Sequence, residues 1–122
     1  MPATSRIDPD CGAVVTTMSG HVTDDDLLAQ QQRLPGEAGF QPGMHHLVDA
    51  RGVEAVSVTP AGVRALANGN VFSAASRRAI VAPRDAAFGF GRMFELLRGD
   101  GVEETRVFRD MDEARRWLEL NG

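Results

Sequence analysis

At 122 residues, with 43% hydrophobic and 25% charged residues, the chain has the size and composition of one globular domain that can bury a core without disulfide or metal support. A formal charge of −4, with its basic residues scattered along the chain, excludes a nucleic-acid footprint and argues against binding to an anionic membrane surface. All 13 basic residues are arginine and tyrosine is absent, which removes Schiff-base, P-loop-lysine and tyrosine acid–base chemistry.

The opening stretch MPATSRIDPD lacks the apolar segment of a signal peptide, and no apolar run approaches the roughly 20 residues of a membrane span. A cytoplasmic location is expected. Within SRIDPDCG an edge strand turns back through Pro9 to Gly12, so its pairing with the next strand is antiparallel. Cys11, the single cysteine, falls in that turn with no thiol to pair with.

Four strand–helix units follow. In the first, AVVTTMSG leads into TDDDLLAQQQRL, where Thr23 is the N-cap, three aspartates favour the first turn, and Leu27, Leu28 and Leu34 form the apolar stripe. In the second, HHLVDA leads into TPAGVRALANG. There Thr59 caps, Pro60 takes the first helical position, and Val58 and Val63 can form a hydrophobic staple; Asn68 and Gly69 end the helix. The third is RRAIVAP followed by RDAAFGFGRMFELLRG, closed by Gly99. The fourth is TRVFRD followed by DMDEARRWLEL, with Asp110 and Glu113 resembling a capping box and Met111, Ala114, Trp117 and Leu118 on one face. Repeated units of this kind imply parallel strands joined by right-handed crossovers. The expected fold is α/β: a mixed, mostly parallel sheet of about five strands with four helices.

Two of the three histidines stand side by side in MHHLVDARG. In a strand, neighbours point to opposite faces, so His45 and His46 cannot chelate one ion together, and neither His21 nor Cys11 completes a zinc spacing. No metal or cofactor is expected. The pair reads as polar residues at the solvated start of a strand whose buried part is Leu47, Val48 and Ala50. Ligands of open parallel sheets collect instead at the carboxyl ends of the strands. That rim should carry Asp49 and Arg51, Ser57 and Thr59, Arg84 and Asp85, and Arg109 and Asp110. Each has an ordinary structural reading as a cap, a first-turn residue or an ion-pair partner. No nucleophile elbow or glycine-rich phosphate fingerprint is present, so a catalytic centre is not expected.

SGHVTDDDLL, HHLVDARGVEAVSVTPAGVRAL, RRAIVAP and TRVFRDMDEARRWLEL together resemble the SpoIIAA-like family of small bacterial proteins, which shares the fold of the STAS domains, the anti-sigma-factor antagonists. The resemblance runs from about residue 12 and rests on the whole pattern. In STAS antagonists a DSSG loop carries a serine whose phosphorylation switches partner binding. The matching stretch here, GVEAVSVTPAG, lacks that motif and offers Ser57 and Thr59 as the hydroxyls for a phosphate. The resemblance implies a fold and leaves the activity unassigned.

AAFGFGRMFELL is the least usual segment. At 100° per residue Ala87, Phe90, Met93, Phe94 and Leu97 share a core face. Phe88 and Leu96 project elsewhere with Arg92 and Glu95. This second surface is covered either by the neighbouring loop NVFSAAS or by a partner, the simplest being a second copy of the chain. Gly89 and Gly91 each cost about 1 kcal/mol in a helix interior; close packing on the sheet or a ligand against the glycine backbone would compensate.

Three functions fit these observations. The leading one is a non-enzymatic regulatory or protein-interaction module that homodimerises or binds a regulatory partner through Phe88, Arg92, Leu96 and the rim. The alternative is a carrier or sensor of a small apolar or amphipathic ligand, held between sheet and third helix near Phe88, Phe90 and Met93. The third is an enzyme using Asp49 with Arg51 or Arg84.

Overall fold

The computed structural model describes residues 3–8, 10–98 and 102–120. Pro9 and Gly99, expected to turn the first strand and to close the third helix, lie outside the described residues. Five strands, β1 (Ala3–Asp8), β2 (Ala13–Thr23), β3 (His45–Ser57), β4 (Arg77–Val81) and β5 (Glu104–Phe108), form one sheet in sequence order. β1 runs antiparallel to β2, and β2 to β5 are parallel. The helices are α1 (Asp24–Arg33), α2 (Pro60–Ala67), α3 (Asp85–Arg98) and α4 (Met111–Trp117), with a short 3-10 turn at Leu34–Gly36. The expected mixed α/β sheet with four helices is present.

The topology fixes the layers. Parallel strands laid down in sequence order make every crossover step in the same direction, so right-handed connections put α1, α2 and α3 on one face. Those helices do pack on one another in that order. α4 follows the last strand and has no crossover to make; it covers the other face, where Ala114 and Leu118 pack on Val15, Leu47, Ala79 and Val81. The residues between these along the strands, Thr16, His46, Val48, Arg78 and Ile80, face α1 to α3, as the period of two requires.

Local chemistry starts the helices. Thr23 and Asp26 exchange hydrogen bonds in a full capping box, and Thr59 Oγ1 accepts from Gly62 N with Pro60 next in the chain. Asp110 accepts from Glu113 N. The second unit differs from the expected one. β3 does not stop near Ala50 but continues to Ser57, because β2 extends alongside it to Thr23 through two irregular steps between Thr17 and Ser19 and between Gly20 and His21. Much of GVEAVSVTPAG is therefore strand, and Asp49 and Arg51 lie mid-strand, level with the end of β4 at Val81.

Candidate functional site

A cavity of about 150 Å³ lies between the sheet and helices α1 to α3. Its wall is mostly apolar. Val48, Val53 and Ile80 come from the sheet, Leu27 and Leu66 from α1 and α2, and Phe90 and Phe94 from α3. α3 comes close to the sheet because Gly91 has no side chain; a Cβ there would stand 2.8 Å from Val107 Cγ2. The close-packing account thus holds for Gly91, whereas a Cβ at Gly89 would meet open space.

One end of the cavity is polar, formed by Thr16, Gln30, His46 and Arg78. The register explains their meeting: Val14, His46, Arg78 and Thr105 form one row across four strands, with Thr16 two residues along from Val14 on the same face. His46 is a second correction. It is only 5% exposed and stacks on Phe72 with ring centroids 4.8 Å apart. The start of β3 is covered rather than solvated, since Phe72, in the loop after α2, closes over it. His45 takes the opposite orientation, as expected, and its Nδ1 accepts from Arg77 N at 3.0 Å.

Hydrogen bonding settles the His46 tautomer. Arg78 Nε can only donate, and it gives its proton to His46 Nδ1 at 3.0 Å. Nε2 therefore carries the imidazole proton and donates to Thr16 Oγ1 at 2.8 Å. Thr16 in turn lies 2.6 Å from Ser5 Oγ, which also accepts from Gln30 Nε2. Burial, and next the charge of Arg78, push the His46 pKa well below 6.5, so the ring is neutral. On its other side Arg78 pairs with Glu103, and Glu103 also pairs with Arg98, with all three side chains at most 7% exposed. Phe94 packs against both guanidinium groups, 5.1 Å and 5.9 Å from its ring centre.

The rim residues form no common site, since Asp49 and Arg51 lie mid-strand and Ser57 and Thr59 at and beyond the end of β3. Asp49 is held by Arg51, through Nε and Nη2 at 2.9 Å and the backbone N at 3.1 Å. The Arg51 side-chain bonds are the main reason that its pKa lies below the usual carboxylate value. Neither residue lines the cavity, and Arg84 donates to Val53 O rather than to Asp49. Asp85 pairs with Arg109 at 3.0 Å. Ser57 Oγ is hydrogen-bonded to His21 Nε2. Thr59 Oγ1 donates to Asp24 Oδ2 at 2.6 Å while accepting from Gly62 N at 3.0 Å, so the aspartate carboxylate occupies the start of α2.

The expected second surface of α3 also divides. Phe88 is covered neither by NVFSAAS nor left bare: it packs on the core around Val22, Ala50, Val53 and Ala82, with the Arg109 guanidinium 4.2 Å over its ring. Arg92 pairs with Glu95 on its own helix. Leu96 is 72% exposed, and Leu97, assigned to the core face, is 43% exposed because it lies in the last turn, beyond the apolar core clusters. Phe90 and Phe94 reach the cavity, whereas Phe88 and Met93 are not among its lining residues.

Among solved structures, the chain is similar to an uncharacterized protein from Shewanella loihica PV-4, of the DUF3478 family with a SpoIIAA-like fold. Identity is 20%, the TM-score is 0.60, and the alignment covers 95% of this chain and 91% of that one. The fold is SpoIIAA-like. No protein-family model matches the sequence, and no curated protein does. On this SpoIIAA-like frame the buried polar row and the cavity beside it are built by residues of this chain: His46 and Arg78 at strand starts, Glu103 just before β5 and Arg98 at the end of α3. The row follows from the register that sets AVVT beside HHLV beside RRAI, which no local signal in the sequence gives, and the Glu103 and Arg98 contacts had no local signal either. No described helix is long and apolar enough to cross a membrane.

Proposed function

We propose that this SpoIIAA-like domain is a non-enzymatic module that binds a small amphipathic molecule between its sheet and helices α1 to α3. The carrying observation is the cavity: about 150 Å³, apolar over most of its wall and closed at one end by hydrogen-bonded Thr16, Gln30, His46 and Arg78. An apolar cavity of about this volume accommodates benzene, and a few convergent polar groups fix a ligand's orientation. The engagement of Asp49 by Arg51, outside the lining of this cavity, favours binding over catalysis. Calorimetric titration with toluene tests the reading. Saturable binding of one toluene per chain, reduced by the cavity-filling substitution Ile80→Phe, is expected; a wild-type protein with no saturable heat would refute it.

A second reading is a protein-interaction module that self-associates through α3. It rests on the adjacent exposed leucines, Leu96 and Leu97. Sedimentation equilibrium of the wild type and Leu96→Asp checks it: a dimer lost in the variant supports it, and a wild-type monomer counts against it.

A further inference from the structure

The charges behind the cavity's polar end do not balance. Arg78 and Arg98 share the carboxylate of Glu103, and among the described residues no second carboxylate pairs with either guanidinium. His46, the other titratable group facing Arg78, is neutral. Two positive charges and one negative leave an excess of one positive charge at a place where the side chains are 7%, 3% and 1% exposed. Arg98 also donates to Ala67 O and Gly69 O at the end of α2, which offsets part of its charge; excess buried charge at Arg78 is costly, and a counter-charge of opposite sign relieves it.

Of the two arginines, only Arg78 lines the cavity. Its bonds to described residues run through Nε to His46 and Nη1 to Glu103 and Thr105, which leaves Nη2 for a ligand. Phe72 and Phe94 pack against the guanidinium, their ring centres 5.4 Å and 5.1 Å from it, and favour its orientation. Burial first of all brings the Arg78 pKa down to about 10, with Glu103 opposing and Arg98 reinforcing the shift; the group still carries its charge at neutral pH.

Building on the binding function proposed above, we infer that the ligand is a small carboxylic acid: a benzene-sized apolar body toward Ile80 and Phe90, and an anionic end against Arg78. The anion supplies the missing negative charge and accepts a charge-assisted hydrogen bond from the guanidinium. Neutral molecules of the same shape fill the apolar part but leave the excess charge in place.

The test compares benzoate, benzyl alcohol and toluene by calorimetry on the wild-type protein at neutral pH and fixed low salt. Benzoate is expected to bind more tightly than either neutral probe, by about tenfold or more, the scale of one hydrogen bond to a charged group. If the neutral probes bind and benzoate binds equally or less well, the charge inference is overturned and the cavity function stands. If none binds, the cavity function fails and the inference falls with it. Arg78→Gln, checked for a native circular dichroism spectrum, should lose the preference for benzoate; a folded variant that keeps it also overturns the inference. The wild-type comparison decides the matter if the variant does not fold.

Discussion

His46 and Glu103 show how single buried groups set the behaviour of this protein. The His46 imidazole is held neutral in the folded state, its pKa well below 6.5, first by burial and then by Arg78. In the unfolded chain it titrates near its ordinary value of about 6.5. As pH falls below that value the unfolded state takes up a proton that the folded state does not, so stability declines, by up to about 1.4 kcal/mol per pH unit from this one group. Urea denaturation at pH 7.5 and 5.5 should show the decline, and His46→Gln, although less stable at both, should show a smaller difference between them. An unchanged difference would contradict the role given to His46. Glu103 is 1% exposed and neutralises part of two guanidinium charges; Glu103→Gln should cost about 3–5 kcal/mol in the same assay. Neither role was legible in the sequence. A histidine or arginine at the start of a strand is ordinarily solvated, and only the lateral register of β2, β3 and β4, with Phe72 folded over it, buries this pair.

The elements were legible where their determinants are local. Thr23, Thr59 and Asp110 cap the helices that the sequence assigns to them, because a cap depends on residues at most three positions away. The end of β3 was missed because it depends on a partner 30 and more residues earlier: β2 continues past the sheet's other strands and pairs with β3 between Gly52 and Ser57. Thr59 links these two regions, joined to Asp24 at the start of α1 as well as to Gly62. Thr59→Ala should lower stability by about 1 kcal/mol from the lost cap alone, measured by denaturant unfolding. The two glycines of α3 give a paired expectation. Gly89→Ala places a methyl in open space and should stabilise by up to about 1 kcal/mol through helix propensity. Gly91→Ala gains the same propensity but drives a Cβ against Val107, and should be net destabilising, since overpacking typically costs about 1–3 kcal/mol. Melting temperatures shifting in the same direction would contradict this packing account.

At the scale of the whole molecule, the two faces of the sheet are used differently. α4 seals one face, where its Ala114 and Leu118 form one apolar cluster with Val15, Leu47, Ala79 and Val81. The three crossover helices span the other face and leave the cavity, with the polar row at its base. Chain-order reasoning predicted the mixed sheet and four helices, since alternation and handedness fix them. It put the expected ligand pocket near Phe88, Phe90 and Met93, and of these three only Phe90 lines the cavity. The rim at the strand carboxyl ends drew attention as the usual place for ligands in open parallel sheets. Here its charges are taken up by short-range pairs, Asp49 with Arg51 and Asp85 with Arg109, while the cavity lies between the layers. The claim that this inter-layer space is where a small molecule binds is tested most directly by methyl NMR of the wild-type protein titrated with benzyl alcohol. The account predicts saturable shifts at the methyl groups of Val48, Val63, Leu66 and Ile80, with Val81 and Leu118 beneath α4 unmoved. Shifts confined to Leu96 and Leu97, or spread evenly over both faces, would contradict it.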